Sequence, residues 1–352
     1  MTARTALIAG ATGAAAKRLI EVLLEGADWQ VIGLSRHPPA TSNPRLSFLR
    51  CDLSDREGCA RALAACKCVT HLFYTARAEF SEGGVEDVNQ NVAMLRNIVD
   101  AVEAASPNLG HVHLVEGQKW YDVHLRPARL PTREDDPRRP PPNFYYDQED
   151  LVRERQDGRA WTWSASRPYF IYDYAPERAR NIVSTLGAWA AMCAEHGSAL
   201  DFPGTPRCYS ALTEISDATQ LARAMVWMAT TPEARNQAYN VSDGRQFRWQ
   251  ELWPRIAAHF GLRVGEVRPQ KLAQSMQDKS PAWERIVRRH NLQSIPLQDV
   301  VSWDFADFLW GLEYDNTTSM ERIRRHGFHG AIDTGDQVVA YLQRYRESRL
   351  LP

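Results

Sequence analysis

Ala6-Leu7-Ile8-Ala9-Gly10-Ala11-Thr12-Gly13-Ala14-Ala15-Ala16 runs a short apolar segment into a glycine turn and on into a helix-forming stretch. Ala6–Ala9 reads as a buried strand. Ala15–Leu24 reads as a helix with Leu19, Ile20, Leu23 and Leu24 on its apolar face. Gly10 permits the tight turn, and Gly13 lets a pyrophosphate approach the backbone. The spacing Gly-x-x-Gly-x-x-Ala, with Thr12 and Ala14 inside it, leaves the helix N-terminus to supply N–H donors and a positive dipole end. The same glycines interrupt the apolar run, so the N-terminus reads as strand, turn and helix rather than as a signal peptide.

The pattern repeats downstream. Strands are expected at Gln30–Ser35, Leu46–Arg50, His71–Thr75, His111–Val115 and Trp161–Ala165, and helices at Cys59–Ala65 and Val88–Ala104. Such alternation predicts a doubly wound parallel α/β sheet of Rossmann type. Residues 1–170 are expected to form the dinucleotide-binding domain. Residues 171–352 are expected to form mainly a smaller substrate lobe, with some segments returning to the sheet. The segment Arg126–Pro142 reads as a solvated loop over the carboxyl ends of the strands.

Length and composition fit this reading. The chain has 352 residues, 44% of them hydrophobic and 24% charged, enough for a large core. A net charge of -1 gives no electrostatic reason to expect nucleic acid or an anionic membrane. The six cysteines match no metal or redox spacing and read as reduced thiols, so no metal is expected. Ile182–Ala194 is too short to span a bilayer and reads as a buried helix. A cytoplasmic protein is the expectation.

The second strand ends in Ser35-Arg36, where an NAD enzyme usually carries an acid for the ribose 2′-hydroxyl. A hydroxyl and a guanidinium suit a 2′-phosphate instead, which points to NADPH. Asp52-Leu53 ends the next strand and is placed for the adenine, although Asp52 could equally cap the following helix. Thr75, Ala76 and Ile171 complete the expected cofactor contacts, the last with backbone positioned for the carboxamide.

Where a short-chain dehydrogenase carries Tyr-x-x-x-Lys, this chain has Asn143-Phe144-Tyr145-Tyr146-Asp147-Gln148-Glu149-Asp150. Acids therefore stand four residues after each tyrosine, and an acid there raises a phenol pKa. Either the site is inactive or the cation comes from elsewhere in the chain. Only five lysines exist, and Lys119 lies just past the strand His111–Val115.

With these motifs the chain resembles the progesterone 5β-reductase/iridoid synthase-like (PRISE) family of atypical extended short-chain dehydrogenases. The family's Thr-Gly-x-Lys-His-Tyr becomes Glu116-Gly117-Gln118-Lys119-Trp120-Tyr121. Its Asn-Phe-Tyr-Tyr-x-x-Glu-Asp is intact at Asn143–Asp150, and its Thr-Trp-Ser-x-x-Arg-Pro stands at Thr162–Pro168. Asn240–Gly244 matches Asn-Val-Ser-x-Gly, and Trp303–Phe305 matches Trp-x-Phe. The resemblance implies NADPH-dependent 1,4-reduction of enones and enals, with Tyr145 as phenol and Lys119 as its partner. Both would also contact the cofactor. From the residues alone Tyr146 could serve as the phenol, and Asn91 in the long helix could be catalytic or structural.

The family's x-Gly-Pro-Phe after this motif becomes Asp122-Val123-His124-Leu125, so the substrate-side loop is altered. Phe305, Trp120, Leu125, Tyr172 and Met192 are the expected pocket residues, with His124 beside them. The expected partner is a small-molecule enone or enal, and at most a second copy of the chain in a homodimer. Two other enzyme classes compete: a carbonyl reductase and a sugar-modifying extended dehydrogenase. A non-catalytic NADPH-sensing regulator would have no need of both Lys119 and Tyr145.

Overall fold

The computed structural model describes residues 4–79, 86–140 and 142–352. Seven strands form one parallel sheet: β1 (Arg4–Ala9), β2 (Trp29–Ser35), β3 (Leu46–Arg50), β4 (His71–Tyr74), β5 (His111–Val115), β6 (Thr162–Pro168) and β7 (Gln237–Val241). Their order across the sheet is β7-β6-β5-β4-β1-β2-β3. Register is continuous at the centre, where Leu7 faces Leu72 on one side and Ile32 on the other. Strands covered on both faces need apolar residues at successive positions. Ala6 to Ala9 meet that demand with no exposed surface.

Helices α1 (Ala14–Glu25), α2 (Arg56–Leu63), α3 (Val88–Ala105) and α4 (Phe144–Gln156) connect the first six strands. Helix boundaries have local causes. Asp55 caps α2 through the N–H of Gly58, and Asp87 caps α3 through that of Gln90. Strand β7 and helix α6 (Ala218–Thr230), which shares a buried cluster with α1, come from the second half of the chain. The apolar stretch after residue 181 forms α5 (Ile182–Glu195), buried from Ile182 to Cys193 at the heart of the second lobe. A further short helix, α7 (Trp303–Leu309), carries Phe305, which is buried in that lobe's core. Among the described residues no helix is long and apolar enough to cross a membrane.

The loop read as solvated is partly anchored. Thr132 is fully buried and bonds to the Thr317 backbone, and Glu134 accepts from the Asn240 N–H at 2.9 Å. Residue 141 of that loop lies outside the described residues.

Candidate active site

The glycine turn leads into α1 with Gly10 at φ +80°, where a β-carbon would come within 2.9 Å of the Ala76 backbone. Only glycine tolerates both conditions. Gly13 stands at the N-cap of α1 and offers no side chain to its first N–H groups. Those donors are left for an anion. A cavity of about 530 Å³ opens there, lined by Gly10, Thr12, Gly13, Ser35, Arg36, Asp52, Leu53, Thr75 and Ala76. Ala14 begins the helix just beyond it, while Lys119, Tyr145 and Ile171 lie outside its lining. Arg77, Gln90 and Met94 also line the cavity and carried no motif. Asp52 holds Ser54 through its backbone N–H and hydroxyl, and the capping role falls to Asp55. Arg36 is exposed and paired with Glu79 at 2.7 Å.

The chemistry-bearing residues gather at the ends of β5 and β6. Past β5 the chain makes a single 3₁₀ turn over Gln118–Tyr121 that carries Lys119. Asn143 ties this turn to α4: its amide donates to the Lys119 carbonyl at 2.8 Å, and its side-chain oxygen accepts from the Tyr145 N–H. Tyr145 is thereby fixed one residue inside the helix. A β-carbon built on Gly117 would lie 3.5 Å from both the Tyr145 hydroxyl and the Pro168 carbonyl, which locates the phenol at the junction of the two strand ends. Sequence spacing gave no hint of the Asn143 tie, because its partner is 24 residues away.

The two tyrosines separate clearly. Tyr146 spends its hydroxyl on the backbone, donating to the Trp120 carbonyl at 2.5 Å and accepting from the Arg139 N–H. Asn91 is likewise engaged, accepting from the Ala78 N–H and donating to the Asp87 carbonyl. Its role among the described contacts is to hold the start of α3. Burial first, then the carboxylate of Glu86, raises the Tyr145 pKa; Arg77 opposes them and Glu116 adds to them. The phenol therefore keeps its proton at neutral pH and is available as a hydrogen-bond donor.

The lysine and the acids are arranged differently from the simplest expectation. The Lys119 ammonium lies 2.7 Å from Glu86, which also pairs with Arg77 at 3.1 Å. Glu149 does not press on the phenol; it pairs with the buried Arg167 at 2.9 Å, and Asp150 pairs with Arg138 at 2.6 Å. Arg167 also grips Glu116 at 2.8 Å and stacks 3.5 Å above the Trp120 ring.

That stacking corrects one pocket expectation, since Trp120 is packed between Arg167 and the Tyr146 ring. Tyr172 and Met192 are also core residues. Tyr172 has no exposed surface and bonds to Asp243 at 2.7 Å, and Met192 lies within buried α5. An aromatic or thioether with a packing partner on every side looks the same in sequence as one lining a pocket. Leu125 is 67% exposed. His124 lies near Lys119; burial and then that ammonium lower its pKa. Phe305 sits beside Phe170, ring centres 6.1 Å apart, and Phe170 follows two residues after Pro168.

Residues 55–352 match the family model described as the PRISE-like Rossmann-fold domain. The chain is 34% identical to a (S)-8-oxocitronellyl enol synthase of Camptotheca acuminata over 99% of its own length and 93% of that protein's. It is also 34% identical to a 3-oxo-Δ(4,5)-steroid 5β-reductase of Arabidopsis thaliana, with the same two coverages. Among solved structures, a short-chain dehydrogenase/reductase superfamily protein from Agrobacterium tumefaciens with bound NAD superposes with a TM-score of 0.68 at 18% identity, covering 99% of this chain and 98% of that one. This last likeness speaks for the fold of an extended short-chain dehydrogenase. Together with Lys119, Tyr145 and the strand-end motifs around them, these matches show that the chain belongs to the PRISE-like Rossmann-fold family.

Proposed function

We propose that this protein is an NADPH-dependent ene-reductase that reduces the C=C bond of enones and enals. The observation that carries the reading is the Tyr145 phenol, kept protonated and set beside Gly117 at the strand ends, one turn from the lysine-bearing segment. The named relatives support the class, one being a reductase of 3-oxo-Δ(4,5)-steroids.

The cavity fits a dinucleotide on three counts: the uncapped α1 N-terminus, the β-carbon-free approach at Gly10, and the guanidinium of Arg36 at the end of β2. Bound there, the reduced nicotinamide supplies the hydride. The chain's own part is electrostatic. As charge develops on the substrate's carbonyl oxygen, Tyr145 donates a hydrogen bond to it, and Lys119 adds positive potential from the neighbouring turn. A protonated phenol suits this task better than a phenolate, which has no proton to donate. The α-carbon takes its proton from solvent.

The test is product analysis with NADPH on 2-cyclohexen-1-one, citral, cyclohexanone and UDP-glucose. Saturated ketone and aldehyde products from the first two support the proposal. Alcohol from cyclohexanone, with no C=C reduction in the first two, sinks it.

A further inference from the structure

Two chains of contacts leave Tyr145 and meet again at Arg180. The first follows the protein wall. From the Tyr145 hydroxyl it passes the backbone of Gly117 and the Pro168 carbonyl, then Phe170, then Phe305. The Arg180 guanidinium caps this wall, 4.7 Å above the Phe305 ring. The second follows charge. The phenol senses Glu86 and Arg77. Glu86 bridges Arg77 and Lys119, and Arg180 in turn senses Arg77. Arg180 therefore closes the far end of a run of contacts that begins beside the phenol.

Its position is electrostatically unusual. The Arg180 side chain is exposed, and partial desolvation, then the positive charge of Arg77, lower its pKa. Among the described residues it makes no hydrogen bond and no ion pair, and its guanidinium lies over the face of Phe305. A guanidinium lying on an aromatic ring keeps its N–H edge for a planar, bidentate acceptor. Arg77 has the carboxylate of Glu86 beside it, whereas Arg180 has no ion-pair partner among the described residues, and an anion at Arg180 would supply one. Arg180 follows Ala179, whose carbonyl is held by the Ser302 N–H at the start of α7, so the backbone carrying it is fixed to the element that carries Phe305.

We infer that Arg180 is a substrate-recognition residue, and that the preferred substrate is an enone or enal bearing a carboxylate at the end remote from its carbonyl. The carbonyl would meet Tyr145, the carbon skeleton would lie along Phe170 and Phe305, and the carboxylate would pair with Arg180. This deepens the ene-reductase reading and rests on it. The cofactor's phosphates are the other source of an anion, but Arg180 is absent from the residues lining the dinucleotide cavity.

The experiment compares 4-phenyl-3-buten-2-one with its 4-(4-carboxyphenyl) analogue under saturating NADPH. The wild type should turn over the carboxylate enone with a kcat/KM about tenfold higher or more, the size of one charge-assisted contact. Added KCl should shrink that preference. Arg180→Met, which keeps side-chain volume, should lower kcat/KM for the carboxylate enone at least tenfold more than for the neutral one, and Arg180→Lys should restore part of the preference. Equal kcat/KM for the two enones in the wild type overturns the inference while leaving the ene-reductase reading intact. So does an equal loss on both substrates in Arg180→Met, or a raised KM for NADPH with the preference unchanged. If neither enone is reduced, both readings fall.

Discussion

The two ends of the cleft handle charge in opposite ways. At the glycine-turn end, Arg36 and Glu79 form a pair on the surface, with side chains 61% and 79% exposed. At the other end, Arg167 is clasped by Glu116 and Glu149, and none of the three side chains is more than 5% exposed. A surface pair is worth roughly 0–1 kcal/mol and exchanges partners readily. A buried cluster cannot let go of a partner without stranding a charge. On the proposed reading, the difference separates a site that admits and releases a phosphate from a foundation that holds β5, β6 and α4 in one arrangement. The Tyr145 phenol lies beside Gly117, on the helix that the buried cluster anchors.

The comparison breaks first if the phenol is dispensable. Tyr145→Phe removes the donor while keeping the ring, and its turnover of 2-cyclohexen-1-one should fall by about two to three orders of magnitude. Tyr146→Phe should cost far less turnover, because that hydroxyl serves the Trp120 and Arg139 backbone. Steady-state NADPH oxidation by the two variants decides between them. Equal losses would mean that helix anchoring, rather than a donor at residue 145, sets the rate.

The exposed end should respond more mildly. Arg36→Ala should raise KM for NADPH about tenfold while changing KM for NADH little, since one charge-assisted contact is lost and only one cofactor can make it. Measured in 50 mM and 300 mM salt, the wild-type preference for NADPH should narrow. A preference that ignores both the substitution and the salt would place phosphate recognition elsewhere.

The two ends also differ in how much of them can be read from the chain. The dinucleotide turn is a local matter. Gly10 to Ala16, Ser35-Arg36, Asp52-Leu53 and Thr75-Ala76 are each contiguous, and strand alternation alone places them at one edge of the sheet. The placement of Lys119 just past a strand end and of Tyr145 at a helix start was legible for the same reason. The aromatic contacts were legible only in part: Phe305 was expected at the pocket, but its packing against Phe170 and Arg180 comes from the tertiary fold, and nothing in their spacing announces it. Trp120, Tyr172 and Met192 misled because sequence shows a side chain's chemistry but not the face it turns to its neighbours. Arg167 carried a motif, yet its role as the hub of two buried carboxylates emerges only when β5, β6 and α4 converge.

That hub carries the smallest expected effect and the most direct test of its buried character. Glu149 also meets Arg153 at 3.3 Å and Arg138 at 3.9 Å, whereas Glu116 pairs with Arg167 and has one oxygen with no hydrogen-bond partner among the described residues. Burial, with Glu149 adding to it against the pull of Arg167, raises the Glu116 pKa to about 8. The sign follows from linkage. A carboxyl raised in the folded state binds a proton that the unfolded chain has already released. Its contribution to stability is complete below the ordinary carboxyl range and is lost as pH rises toward 8. Glu116→Gln keeps an acceptor for Arg167 and removes the titration, so its unfolding free energy should depend less steeply on pH between 5 and 8. The difference in slope should stay below about 1.4 kcal/mol per pH unit, the limit for one full proton, because Glu149 shares the charge. Urea unfolding of both proteins at pH 6, 7 and 8 measures it. Parallel slopes would mean that Glu116 stays ionised throughout, and that the arginines around it outweigh its burial.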